Sequence, residues 1–159
     1  MKIFVTWGTG EGNTSLSAFD RALFDAGIAN LNLLPLSSVI PPKTEIIVGK
    51  LDVQQWKKHF GQRVYVVLSE QRTSKKGATV FAGVGWVIDQ KEKKGLFVEH
   101  HGKSAKEVED LIRKSLLDMT KYREEEYGEI NFQITGIKCK KKPVAALVCA
   151  VYQVEEWHK

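Results

Sequence analysis

The sequence predicts an α+β fold in which a mainly antiparallel sheet system carries two principal helices. Segments rich in β-branched and aromatic residues recur along the chain without the regular strand and helix alternation of a parallel sheet. Two stretches instead show helical spacing behind a clear start signal. The length of 159 residues, with 43% hydrophobic and 27% charged side chains, suits one domain with a single sizeable core.

Ile3 to Trp7 reads as a strand that runs into a glycine loop, Gly8 to Asn13. Thr14 then opens a helix with Leu16, Phe19 and Leu23 on one stripe, and Gly27 ends it where a left-handed backbone is wanted. Asn30 to Leu36 is a short apolar strand. After it come Ser37, Ser38, Val39, Ile40, Pro41 and Pro42, where the double proline forces extended backbone and an irregular connection. Asp52 caps a short helix through Phe60. Val64 to Ser69, Thr79 to Ile88 and Leu96 to His100 read as strands, with Glu70 to Gly77 as a connecting loop. Ser104 and Glu107 form a capping box, and the apolar stripe of Val108, Leu111, Ile112, Leu116 and Met119 marks a helix extending to about Glu126. Glu129 to Lys138 and Val144 to Glu155 are the last strands, joined through Lys140, Lys141, Lys142 and Pro143.

The N-terminus lacks the apolar region of a signal peptide, and no apolar run approaches the roughly 20 residues of a membrane span, so a soluble, cytoplasmic protein without a membrane partner is expected. Cys139 and Cys149 have neither the C-x-x-C spacing nor the nearby histidines of a metal site and read as plain strand residues. The net charge of +5 is concentrated in three lysine clusters, at 75–76, at 91–94 and at 138–142. Each lies between strand-like segments without a nucleic-acid-binding module, so solvated loop tips are expected in preference to a nucleic-acid surface.

Most candidate chemistry fails on spacing. A P-loop starting at Gly8 needs glycine at 13 and lysine at 14, where Asn13 and Thr14 stand; a dinucleotide fingerprint fails at Asn13 too. His100 and His101 follow Glu99, but neighbours on a strand point to opposite faces, so only Glu99 and His101 can share one.

One set of blocks is specific. Asn30 to Pro42 contains Asn32, Ser37, Ser38 and the double proline; with it go Gly10 to Thr14, Ala18-Phe19-Asp20, Ala26-Gly27-Ile28 and Gly95 to Lys103 around Glu99. In this order they resemble the pyruvoyl-dependent arginine decarboxylase family. The resemblance implies an αββα sandwich of two packed sheets with outer helices. It also implies a homotrimer whose active sites lie between subunits, and a pyruvoyl group made from Ser38, with no metal and no pyridoxal phosphate.

Decarboxylating an amino acid leaves a carbanion that no ordinary side chain stabilises, so an electrophilic carbonyl must form an imine with the substrate and take up the electron pair. By resemblance Ser38 becomes that carbonyl. Its Oγ attacks the carbonyl of Ser37, the ester eliminates, and the chain is cut into a β chain of residues 1–37 and an α chain of residues 38–159. Asn32 is the implied support for the oxyanion. Glu99 is the implied proton donor to the α-carbon, a role that calls for water-poor surroundings. Asp20 is implied to hold the guanidinium of arginine, with Leu16 and Leu31 as walls for its methylene stem or as core residues. Two other readings stay open: a pyruvoyl decarboxylase for another amino acid such as histidine, and an unprocessed, non-catalytic binding protein.

Overall fold

The computed structural model describes residues 1–157. Its elements are β1 (Lys2–Glu11), α1 (Ser15–Asp25), β2 (Asn32–Pro35), β3 (Val39–Ile40), β4 (Glu45–Val48), a 3-10 helix (Val53–His59), β5 (Arg63–Thr73), β6 (Thr79–Ile88), β7 (Gly95–Gly102), α2 (Ala105–Thr120), β8 (Asn131–Lys138) and β9 (Val144–Glu155). One sheet has the order β2-β5-β9-β1-β4 and the other β3-β7-β6-β8. Pairing is antiparallel except where β4 joins β1 and β2 joins β5. Helix α1 lies on β1, β9 and β5, and α2 on β6, β7 and β8, while the free faces of the two sheets meet. The layers are therefore helix, sheet, sheet, helix, in one compact α+β domain.

The central strand β9 shows how the layers form. Its apolar run lacks polar alternation because both of its faces are covered. Ala145, Leu147, Cys149 and Val151 pack under α1, whereas Val148 and Ala150 meet Val84, Trp86 and Phe97 of the second sheet. A third apolar cluster sets Val108, Ile112 and Leu116 of α2 against Val87, Leu96 and Val98. No helix among the described residues is long and apolar enough to cross a membrane.

Several local expectations change. The segment expected to be a glycine loop continues β1 to Glu11, because Gly8 and Gly10 face α1 and admit its backbone; a Cβ at Gly8 would lie 2.1 Å from the Ala22 carbonyl oxygen, and one at Gly10 2.2 Å from that of Ala18. So close an approach also selects the inner face of α1, which is Ala18, Ala22, Leu23 and Ala26, leaving Leu16 68% exposed instead of on the apolar stripe. Glu70 to Thr73, expected as loop, extends β5 because it pairs with Leu147 to Val144. Helix α2 stops at Thr120, short of Glu126, since the following residues bond to the β6–β7 connection, with Lys94 on Glu125 and the Gln90 N–H on the Glu126 carbonyl.

Helix starts follow the local signals more closely. Thr14 and Ser17 form a reciprocal capping box, and Asp52 accepts the Gln54 N–H at 2.9 Å. Ser104 accepts the Glu107 N–H at 3.2 Å, but the Glu107 carboxylate takes the Lys103 N–H at 2.7 Å, so only half of that box forms. Gly27 has φ +77° at the end of α1. Cys149 lies within β9, whereas Cys139 follows β8 in the turn rather than on a strand, its Sγ 3.2 Å from the Lys142 carbonyl oxygen; both are buried and free.

Candidate active site

The segment from Leu36 to Thr44 carries the chain from β2, at one edge of the first sheet, to β4 at the opposite edge, and on the way supplies β3, an edge of the second sheet. Ser37 and Ser38 are the link between β2 and β3. Ser38 has φ +65°, a left-handed conformation that a residue with a Cβ adopts at a cost of about 1–2 kcal/mol. Its carbonyl accepts the Phe97 N–H at 2.8 Å, and β3 pairs Val39 with Leu96 and Ile40 with Gly95. These bonds to β7 hold the unusual backbone in place.

On β7, Phe97 is buried between the sheets and Glu99 emerges on the same face two residues on. There the Ser38 hydroxyl donates to the Glu99 carboxylate, 2.9 Å from one oxygen and 2.8 Å from the other. The pair joins residues 61 positions apart. Ser38 is half-buried and Glu99 exposed, so water-poor surroundings for this carboxyl are not supplied by the chain's own fold. His100 points to the other face, where its Nε2 lies 2.8 Å from Ser115 Oγ on α2; burial, and secondarily the charge of His101, lower its pKa. His101 is exposed on the Glu99 side.

The other candidates lie apart from Ser38. Asn32 begins β2, and its side-chain N–H donates to the Gly61 carbonyl at 2.6 Å; the length of the strand sets it roughly 10 Å from Pro35, the residue that ends β2 ahead of the Ser37-Ser38 link. Asp20 and Leu16 are exposed on α1, which covers the outer face of the first sheet, whereas Ser38 borders the second. Within one chain a sheet therefore separates Asp20 from Ser38. Leu31 is half-buried and packs into the cluster beneath α1, the core alternative for that residue.

Tyr152 was not among the residues expected from the sequence. Its hydroxyl donates to the Val39 carbonyl at 2.9 Å, and its ring meets Phe97 edge-on with centroids 6.1 Å apart. Burial raises the pKa of this phenol, and the Glu99 carboxylate adds to the effect. A tyrosine in a strand otherwise rich in valine and alanine carries no sequence signal of this role.

Of the lysine clusters, the one at 91–94 is balanced by acids: Lys91 pairs with Glu126, and Lys94 with Glu92 and Glu125. Lys75, Lys76 and Lys140 to Lys142 are exposed in neighbouring turns, joined by a Gly77 N–H to Cys139 carbonyl bond.

Comparison with known proteins agrees with the arrangement of blocks. The family model described as pyruvoyl-dependent arginine decarboxylase matches residues 2–156. A pyruvoyl-dependent arginine decarboxylase of Thermococcus kodakarensis is 34% identical over 151 residues, covering 94% of this chain and 93% of the relative. Relatives of the same name from Methanococcus vannielii, 36% identical over 154 residues (96% of this chain, 87% of the relative), and from Pyrococcus abyssi, 34% identical over 142 residues (89% and 87%), extend the similarity across archaea. With the match spanning both sheets, both helices and the Ser38 and Glu99 segments, the chain belongs to the pyruvoyl-dependent arginine decarboxylase family, enzymes of the lyase class.

Proposed function

We propose that this chain cuts itself between Ser37 and Ser38 and converts L-arginine to agmatine and carbon dioxide at the pyruvoyl group so formed. The observation that carries the proposal is the Ser38 hydroxyl held by both oxygens of Glu99 on a residue with φ +65°. In the cut, Ser38 Oγ adds to the Ser37 carbonyl carbon and the peptide C–N bond breaks, leaving an ester. Elimination then frees the Ser37 carboxylate and leaves dehydroalanine at 38, which takes up water and releases ammonia. The left-handed backbone strain at Ser38 disappears with the bond to Ser37, which favours the cut.

The residues fit the group. Its amide carbonyl would keep the Phe97 N–H that the Ser38 carbonyl accepts at 2.8 Å; its keto carbon would be the present Ser38 Cα, and its methyl carbon the present Cβ, whose hydroxyl faces Glu99. The group supplies an electrophilic carbonyl that binds the substrate amine and accepts the electron pair left when carbon dioxide departs. Glu99 then delivers a proton to the α-carbon from the face on which it now receives the Ser38 hydroxyl.

Fragments 1–37 and 38–159 stay together. The first contains β1, α1 and β2, and β1 is laced to β9 over eight residue pairs from Phe4↔Val151 to Glu11↔Val144.

Assembly as a trimer completes the site. Asn32 and Asp20 do not reach Ser38 in the same chain, and exposed apolar side chains lie on both parts: Leu16 and Phe24 on α1, and Leu34, Leu36 and Val39 around the cut. Docking the first surface of one subunit on the second surface of its neighbour covers both, dries Glu99, and brings the Asp20 carboxylate to the guanidinium end of arginine.

Intact mass of the purified protein tests the core of the reading. Two fragments split after Ser37, with a ketone on the larger one, are expected, and Ser38→Ala should remain whole and inactive. A wild-type chain that decarboxylates arginine while staying uncut would refute the proposal.

A further inference from the structure

We propose that Tyr152 is a positioning residue for the chemistry at residue 38: its hydroxyl anchors the Val39 carbonyl and so sets the amide between residues 38 and 39 against Glu99. This inference rests on Ser38 being the reactive residue.

Strand β3 has only two residues and lies at a sheet edge, with β7 on one side and no strand on the other. Successive carbonyls of a strand point in opposite directions. The Ser38 carbonyl accordingly meets the Phe97 N–H, while the Val39 carbonyl points away from β7, where the ladder offers no donor. Tyr152 supplies one from the other sheet, at 2.9 Å.

That reach depends on a β-bulge. Along β5 and β9 the register passes from Tyr65↔Gln153 to Val66↔Val151, so Tyr152 is the extra residue with no partner on β5. A bulge of this kind re-aims one side chain and is a recurrent device beside reactive sites. The Phe97 ring, edge-on at an interplanar angle of 66°, holds the Tyr152 ring in its new direction. Because burial and the Glu99 carboxylate raise the phenol's pKa, it remains a donor throughout the neutral range.

Three contacts thus converge on two residues: Glu99 on the Ser38 hydroxyl, Phe97 on the Ser38 carbonyl and Tyr152 on the Val39 carbonyl. Before the cut they present Ser38 in its left-handed conformation. Afterwards residue 38 is a chain end without its tether to Ser37, and the bonds to β7 and to Tyr152 are what keep its amide from rocking away from Glu99.

Tyr152→Phe removes the donor and keeps the ring and its contact with Phe97, so the variant folds. Thermal unfolding of Ser38→Ala with and without Tyr152→Phe measures the effect on stability in uncut chains. Freshly expressed wild type and Tyr152→Phe are then followed by intact mass over time at a temperature well below both transitions. The variant is expected to cut at least tenfold more slowly. Once cut, it should show kcat reduced severalfold with KM within twofold of wild type, since Tyr152 does not hold arginine. Cleavage and kcat both at wild-type levels overturn the role of Tyr152 and leave Ser38 standing. A KM effect with normal cleavage and kcat also overturns it, by assigning Tyr152 to substrate binding. A wild-type chain that never cuts overturns this inference together with the reading beneath it.

Discussion

The separation of Asp20 from Ser38 by a sheet makes a quantitative prediction for mixed assemblies. On the proposed role of Asp20 as partner of the guanidinium, Asp20→Asn should weaken arginine binding by about 1.5–3 kcal/mol, a loss of about 10- to 150-fold in kcat/KM. Ser38→Ala should be uncut and inactive by itself. If a subunit supplies Ser38 and Glu99 while its neighbour supplies Asp20, a complete site forms wherever an Asp20→Asn chain sits beside a Ser38→Ala chain in the right order. In random trimers co-expressed in equal amounts, half of the chains retain Ser38 and half of their neighbours retain Asp20, so about a quarter of the sites are complete in a ring with one type of interface. The mixture should therefore recover roughly a quarter of wild-type kcat/KM, above either parent. The assay is carbon dioxide release at arginine concentrations below KM, on the whole co-expressed mixture without selection between trimer types. Activity equal to half that of Asp20→Asn alone, the value for sites built within single chains, would refute the shared site.

Other consequences are simpler to measure. Glu99→Gln keeps the shape but removes the acid, and should lower turnover by about 10²-fold or more while the chain still cuts at Ser38; near-normal turnover would move the proton-donor role to another group, with His101 next in line on that face. Gly8→Ala places a Cβ 2.1 Å from the Ala22 carbonyl oxygen and should destabilise by about 1–3 kcal/mol, read as a fall in Tm of about 2–4 °C per kcal/mol, whereas Gly49→Ala, with nothing within 4 Å of the new Cβ, should leave Tm nearly unchanged. The pKa of His100 is lowered by burial and by His101, so the folded state binds its proton less readily than the unfolded state. The stability this confers is complete above the ordinary histidine pKa of about 6.5 and is lost as pH falls through the lower folded value. Tm measured from pH 7.5 down to pH 5 should fall less steeply in His100→Gln, and an unchanged slope would remove His100 from the account.

Much of the fold was legible because its signals are local. Thr14, Asp52 and Ser104 cap their helices through bonds to residues two or three positions away, and the unbroken apolar run of β9 is what any strand covered on both faces must show. The block around Ser37 and Ser38, with Asn32 before it and the prolines after it, was equally readable as a family signature, as was Glu99 within its own block. What the sequence could not determine depends on partners distant along the chain. Gly8 and Gly10 read as loop because nothing local says that a helix backbone will press on them; they extend a strand because α1 does. Leu16 reads as core by spacing, yet Ala18, Ala22 and Ala26 turned inward because the close approach at Gly8 and Gly10 leaves room there only for small side chains, with Leu23 buried beside them. The contact of Ser38 with Glu99, 61 residues away, exists only once β3 pairs with β7. Tyr152 is the clearest case, since a bulge is a mismatch of register between two strands and belongs to neither strand's sequence alone. Caps, turns and apolar period are short-range properties of a chain, whereas register, close approach and the meeting of catalytic groups arise from packing, and only the tertiary structure decides them.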